Sequence, residues 1–141
     1  MEQKIIPRGI RNNNPLNIRK GASWQGLATA QTDPSFCVFK SMVYGLRAAH
    51  KLLRNYITGF DGKTKPCDTL DSIIKRWAPP TENSTQKYID FVAKEVGLSP
   101  FERVHFLDRK IMCDIVSAMA FVECGQRIDR ALIESAFDLL T

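Results

Sequence analysis

The chain has 141 residues, of which 44% are hydrophobic and 25% are charged, which is the composition of an ordinary soluble globular protein. This length suits one domain, residues 1–141, built around a single core. We expect no membrane insertion, because no apolar stretch is long enough to cross a bilayer, and no signal peptide, because the N-terminal sequence is short and polar. The net charge of +5 favours an anionic partner, but the basic residues are scattered, so we expect no specific binding of nucleic acid.

Residues 1–40 lack helical periodicity and are rich in turn-forming residues. The segment RGIRNNNPLNIRKGASWQGL contains three consecutive Asn residues, one Pro and three Gly residues. Short extended segments fit residues 16–19 and 36–39, and the second, FCVF, suits a small hairpin or ribbon. We predict a loop-rich lobe whose Asn side chains either bind a ligand or only hold the turns together.

Helical periodicity defines a second lobe over residues 41–141. The spacing of apolar residues predicts a helix from Ser41 to Gly59, and Thr69 is a suitable cap for a short helix over residues 70–77. A turn stiffened by two prolines follows, and Asn83 or Ser84 begins the next helix, which runs to residue 96. A last helix is predicted over residues 128–140, with an inner face formed by Ile128, Leu132 or Ala131, Ala136 and Leu139.

One carboxylate occupies an apolar position on the helix predicted over residues 108–125, which Asp108 begins and Gly125 closes. At about 100° per residue, Glu123 shares a stripe with Met112, Val116, Met119 and Ala120. Desolvation holds the proton on a carboxyl group among apolar neighbours, and proteins make general acids in this way. Glu123 is therefore a candidate acid, the alternative being a side chain bent out to solvent.

The sequence contains no pattern that predicts a metal or cofactor site. The four cysteines, at positions 37, 67, 113 and 124, have no C-x-x-C spacing, and neither His50 nor His105 completes a zinc-ligand pattern. A Gly-rich phosphate loop and a Ser-His-Asp order are also missing. We expect free, mostly buried thiols, no metal and no cofactor.

An acid on an apolar helix face, together with aromatic and amide side chains, suits cleavage of a glycosidic bond. The acid protonates a poor leaving group, and a second carboxylate normally activates water or stabilises positive charge; Glu82 is the best candidate for it and Asp33 the next. Sugar faces stack on aromatic rings, for which we single out Trp24, Trp77 and Tyr88. Sugar hydroxyl and acetamido groups pair with amides, for which we single out Asn13, Asn14, Asn17, Asn83 and Gln126.

Two long sequence blocks resemble a family of phage-encoded, virion-associated lysozyme-like proteins. The first combines RGIRNNNPLNIR, WQG, D-x-x-F-x-x-F and YGLRA, and the second is IIKRWAPPTENST-x-x-Y. The resemblance extends from about Arg8 to Gln126, which is most of the chain. It implies a mainly α, lysozyme-like helical domain with a small irregular or β lobe near the N-terminus. It also implies a role in peptidoglycan processing when the phage enters or leaves a cell.

The Asn-rich segment is also similar to the stretch N-N-L-F-G-I-K of bacterial glucosaminidases, which follows the helix that ends in the catalytic Glu. In this chain the helix of that type, AMAFVECGQ, comes near the C-terminal end. A circularly permuted lysozyme-like domain would explain this order and would place Glu123 beside the Asn-rich lobe. The chain departs from the family pattern at Leu16, where members commonly carry Gly, and at Cys124, where they commonly carry Asn.

Residues and resemblance together predict cleavage of peptidoglycan glycan strands, as a muramidase, a lytic transglycosylase or a glucosaminidase. Glu123 would be the acid and Glu82 the second catalytic group, although a transglycosylase needs only one carboxyl because the sugar's own hydroxyl attacks. The alternative is a non-catalytic virion or cell-wall-binding protein with the same fold. The expected partners are glycan strands and other virion proteins. The expected location is the phage virion, or the host cytoplasm before release to the periplasm.

Overall fold

In the computed structural model, which describes residues 5–59, 65–80 and 84–140, the chain is mainly helical, as the sequence predicted. The described part contains six helices: α1 (Arg8–Arg11), α2 (Met42–Thr58), α3 (Leu70–Trp77), α4 (Thr85–Val96), α5 (Arg109–Cys124) and α6 (Arg130–Asp138). None of the helices within these ranges combines the length and the apolar character needed to cross a membrane.

The helix ends follow the capping residues that the sequence predicted. Gly59 closes α2 with a left-handed φ of 84°, a conformation that glycine adopts without steric cost. Thr69 and Ser72 form a reciprocal capping box at the start of α3. The Asp108 side chain accepts a hydrogen bond from the Ile111 backbone N–H and so begins α5. Local chemistry therefore determines where these helices begin and end.

Helix α5 is the centre of the helical lobe and packs against α1, α2, α4 and α6. The buried surface of α5 is wider than the apolar stripe that the sequence predicted. Its buried residues are Met112, Cys113, Ile115, Val116, Ala118, Met119, Ala120 and Cys124. Contact with several neighbours explains this, since a helix covered all round needs apolar residues all round. The last turn of this well-packed helix carries Glu123.

Helix α6 turns a different face inward than the apolar pattern predicted. Its buried residues are Ile133 and Ala136, so the predicted inward placement of Leu132 and Leu139 was wrong. The Asp129 side chain accepts a hydrogen bond from the backbone two residues later and so begins the helix there. Packing on α2 and α5 determines which face of α6 is covered.

The N-terminal lobe, residues 5–41, is built from turns around α1. Single antiparallel bridges join Arg19 to Phe36 and Leu27 to Phe39. Both Phe residues and Arg19 lie in the predicted extended segments, but Leu27 does not, and Leu16 lies in a turn. The four-residue helix α1 was not predicted, because one turn is too short to show a period. Leu16 is fully buried in the core. The four cysteines are free thiols, three of them buried and Cys67 half-buried.

Two Asn side chains hold the turns of this lobe together. Asn14 is fully buried, and its amide nitrogen donates to the backbone carbonyls of Ile18 and Cys37, each at 3.0 Å. Its oxygen accepts from the Ile18 backbone N–H at 2.9 Å. Asn13 donates to the Phe39 carbonyl at 3.0 Å. For these residues the structure supports the structural alternative, in which Asn amides replace backbone partners within the turns.

The N-terminal lobe and α2 are in close contact at Gly45. A Cβ atom at this position would lie 1.8 Å from the backbone carbonyl oxygen of Asn13, so a residue with a side chain does not fit. Asn13 and Asn17 both have a φ of 53°, a left-handed conformation that Asn tolerates better than most residues. Because Gly45 has no side chain, the Asn-rich segment packs directly on α2.

Candidate functional site

The Glu123 carboxylate is half-buried and is held by side chains from two other helices. The indole N–H of Trp77 on α3 donates to Oε2 at 3.2 Å, and the hydroxyl of Tyr88 on α4 donates to the same oxygen at 3.0 Å. Among the described residues, no Lys or Arg forms an ion pair with this carboxylate, and no donor is bonded to Oε1. Two neutral donors therefore orient the group without neutralising it.

Tyr88 is a permanent donor in this arrangement. Burial, and then the nearby Glu123 charge, raise the pKa of its hydroxyl well above the ordinary value of a tyrosine. The hydroxyl therefore keeps its proton throughout the pH range in which proteins are studied.

A cleft of about 500 Å³ opens beside Glu123, and residues from both lobes line it. The N-terminal lobe contributes Asn17, Ile18, Arg19, Ala22, Trp24 and Phe36, and the helical lobe contributes Leu52, Tyr56, Trp77, Ala78, Pro79 and Glu123. Four of these side chains are aromatic, so the cleft offers flat apolar faces next to a carboxylate.

A second cavity of about 420 Å³ lies on another side of the same carboxylate. Its lining includes Tyr88, Lys87 and Phe91 from α4 and Val122 from α5. Glu123 and Ala78 line both cavities, so the carboxylate stands where the two spaces meet. Among the described residues that line either cavity, Glu123 is the only carboxylate.

The Asn-rich lobe contacts the end of α5 directly. The Asn17 amide nitrogen donates to the backbone carbonyl of Glu123 at 3.3 Å. A Cβ atom on Gly9 would lie 3.1 Å from the Asn17 side-chain oxygen and 3.3 Å from the Cys124 Cβ atom, so the contact is tight. Cys124 is buried here, which raises the pKa of its thiol, and it lines neither cavity. Glu123 and the lobe are thus neighbours, although 106 positions separate Asn17 from Glu123 in sequence.

Some of the residues predicted to contact sugar line the two cavities. Asn17, Trp24 and Trp77 line the larger cleft, and Tyr88 lines the second cavity. Asn13 and Asn14 line neither cavity and donate to backbone groups, and Gln126 is exposed beyond the end of α5. Glu82 and Asn83 lie outside the described residues.

Three of the cleft residues that were not singled out from the sequence carry a charge or an aromatic ring: Arg19, Phe36 and Tyr56. Phe36 belongs to the D-x-x-F-x-x-F block, which was a usable signal. Tyr56 lies on α2 outside its predicted apolar face, and an aromatic residue in that position was another signal. Arg19 ends the block RGIRNNNPLNIR, which was a comparable signal.

Asp33, the second candidate for a supporting carboxylate, is part of a structural network. The Arg8 guanidinium donates to both of its oxygens, at 2.5 and 2.6 Å, and Asn12 donates at 3.0 Å. The backbone N–H groups of Ser35 and Phe36 donate as well. The Arg8 hydrogen bonds, helped by the other donors, hold the pKa of this carboxyl well below its usual range. Asp33 lines neither cavity and is not available to activate water there.

No family model matches the sequence. The chain is, however, 38% identical over 122 residues to Protein P5 of Pseudoalteromonas phage PM2. The match covers 84% of this chain and 71% of that protein. The chain belongs to the family of Protein P5. This membership confirms the predicted phage origin.

Proposed function

We propose that this phage protein cleaves the glycan strands of peptidoglycan, with Glu123 as the general acid. The supporting observation is a carboxylate held by two neutral donors at the point where two cavities meet, one of which is lined by aromatic side chains. A glycan is a long substrate, so the bond to be cut needs binding space on both sides of the acid. The two cavities supply that space.

The acid's task is to protonate the oxygen of the leaving sugar. Trp77 and Tyr88 hold Oε2 of Glu123, so Oε1 is the oxygen that contacts the glycosidic bond in our proposal. Orienting the carboxyl in advance reduces the cost of reaching the reactive geometry.

The aromatic rings of the cleft are the proposed sugar-binding surfaces. Trp24 and Phe36 line it from the N-terminal lobe, and Tyr56 and Trp77 line it from the helical lobe. Sugar rings have apolar faces that stack on such side chains, while their hydroxyl groups require polar partners. The Asn17 side chain, which lines the same cleft, is the proposed amide partner.

The proposed reaction class depends on whether a second carboxylate takes part. Glu82 is our candidate for activating water in a hydrolase. In a lytic transglycosylase the C6 hydroxyl of the substrate sugar attacks the anomeric carbon, and Glu123 alone would give a proton to the leaving oxygen and accept one from that hydroxyl.

A circularly permuted lysozyme-like arrangement is part of the proposal. Such an order requires the C-terminal helix with the acid to lie beside the N-terminal Asn-rich lobe. The hydrogen bond from Asn17 to the Glu123 backbone supports it. We propose that the protein acts from the phage virion, or from the host cytoplasm before release to the periplasm, and its relationship to a phage protein supports association with the virion.

Turbidity of purified cell walls tests the proposal. We expect the natural protein to clear the suspension. Glu123→Gln should clear it at least roughly 100-fold more slowly, since general acids contribute about 10²–10⁴-fold. Glu102→Gln is the matched control, because Glu102 is exposed and lines neither cavity. Equal clearing by Glu123→Gln and the natural protein would remove Glu123 from the mechanism. Mass spectrometry of the products then separates reducing ends from anhydro sugars.

A non-catalytic cell-wall-binding or virion protein is the second candidate. The observation that favours it is the same aromatic cleft, which would bind glycan strands without cutting them. This candidate predicts that the protein sediments with insoluble peptidoglycan while turbidity stays constant. Loss of turbidity with the natural protein would exclude it.

A further inference from the structure

We propose that the cleft recognises the peptide stems of peptidoglycan as well as its sugars, through the guanidinium group of Arg19 in its wall and that of Arg76, which stacks on the lining residue Tyr56. This inference rests on the proposed function and specifies its substrate as glycan strands that still carry peptides with free carboxylates. Uncharged strands of the chitin type would lack the groups that these arginines bind.

Arg19 lines the cleft from the N-terminal lobe. Its guanidinium carbon lies 5.1 Å from the centre of the Phe36 ring, and Phe36 lines the cleft too. Arg8 stacks on the same ring at 4.5 Å, but its charge is paired with Asp33. Arg19 has no carboxylate partner among the described residues, so of the two guanidinium groups on this ring it is the one with charge to offer a ligand.

Arg76 provides a similar group on the helical side. Its guanidinium carbon lies 4.5 Å from the centre of the Tyr56 ring, which also lines the cleft. In residues 5–59, 65–80 and 84–140 no carboxylate forms an ion pair with Arg76. Most other arginines of the described surface, such as Arg103, Arg109 and Arg130, are paired with acids.

The two guanidinium groups are thus ordered by aromatic rings rather than by ion pairs. Stacking limits their motion and leaves the N–H edges able to donate. A guanidinium group binds a carboxylate through two parallel hydrogen bonds, so a planar carboxylate is a suitable ligand. Peptide stems place carboxylates along a glycan strand, beside the sugars that the aromatic rings would bind.

Isothermal titration calorimetry with Glu123→Gln, in which turnover is blocked, tests the inference. The two ligands are a peptidoglycan disaccharide carrying a tetrapeptide and the same disaccharide without it. We expect the peptide-bearing form to bind more tightly. Adding Arg19→Gln and Arg76→Gln together should weaken its binding about tenfold, while binding of the peptide-free form changes less than twofold. Arg19→Lys with Arg76→Lys should retain part of the preference, because charge remains while the planar fork is lost.

Arg127→Gln is the matched control. Its guanidinium group also stacks on an aromatic ring, Phe121 at 4.2 Å. Unlike Tyr56 under Arg76, however, Phe121 lines neither cavity, and Arg127 is paired with Glu95. This variant should bind both ligands as the parent does. Circular dichroism of every variant confirms that a loss of affinity is not a loss of fold.

The outcomes separate this inference from the proposed function. If the natural protein clears cell walls but binds both disaccharides equally, cleavage stands and stem recognition is overturned. If it does not clear them but shows Arg-dependent preference for the peptide-bearing form, recognition stands and cleavage fails. Binding of neither form, or equal competition by inorganic phosphate, would overturn the stem assignment.

Discussion

Replacing His50 by Gln tests how the interface between α2 and α6 responds to pH. His50 is fully buried, and its Nε2 atom lies 3.0 Å from the backbone carbonyl oxygen of Ile133. A carbonyl only accepts, so Nε2 carries the hydrogen of a neutral ring. Burial lowers the pKa of His50 from 6.5 to about 4, although the hydrogen bond to Ile133 opposes the shift. The ring therefore stays neutral until the solution is distinctly acidic.

The direction of the effect follows from this lowered pKa. At a pH between the folded pKa and the unfolded pKa, the imidazole binds a proton in the unfolded chain but not in the folded one. The free energy of unfolding therefore falls as the pH falls. The free energy of unfolding keeps its full value above pH 6.5, the pKa of the unfolded chain. The contribution of His50 is lost completely near pH 4, the pKa in the folded protein. At about 1.4 kcal/mol per pKa unit the total is about 3 kcal/mol, of which about 2 kcal/mol is lost between about pH 7 and pH 5.

Urea denaturation followed by circular dichroism at these two pH values measures the loss. His50→Gln retains a side-chain donor for Ile133 and removes the titrating group, so its stability should change little over this range. His105→Gln is the control, because His105 is exposed, and it should keep the slope of the natural protein. A natural protein equally stable at both values, or an unchanged slope in His50→Gln, would refute the reasoning.

Three further substitutions test other contacts. Tyr88→Phe removes the hydroxyl donor to Glu123. Because a hydrogen bond to a charged group contributes about 1.5–3 kcal/mol, cell-wall clearing should slow roughly 10- to 100-fold. A rate within twofold of that of the natural protein would contradict this. Gly45→Ala places a methyl group against the Asn13 carbonyl. The steric cost should exceed the gain in helix propensity, so the free energy of unfolding measured in urea should fall by about 2 kcal/mol. Unchanged stability would mean that the two segments can move apart without cost. Asp33→Asn should lower the urea midpoint at neutral pH. Because its carboxyl pKa is held well below the usual range, the difference from the natural protein should shrink below about pH 4, and a constant difference would count against the ion pair.

Prediction from sequence succeeded where the determining interactions are local. The bounds of α3, Leu70–Trp77, follow from Thr69 and its partner three residues later, and those of α5 follow from Asp108 and Gly125. The same short-range chemistry did not determine the inner face of α6, because that depends on which neighbouring helices cover it. In the N-terminal lobe the predicted extended segments are reduced to single bridges, and Leu16 and Asn17 of the first segment lie in a turn and in a left-handed conformation.

The sequence by itself determined the mainly helical class, most helix ends and the position of a carboxylate near the end of an apolar helix, since spacing and capping act within a few residues. Only the tertiary structure decided which groups contact Glu123: Trp77, Tyr88 and Asn17 come from three separate parts of the chain. The stacked arginines and the burial of Asn14 were likewise decided by folding. A side chain's use depends on its neighbours in space, and packing of distant segments supplies those neighbours.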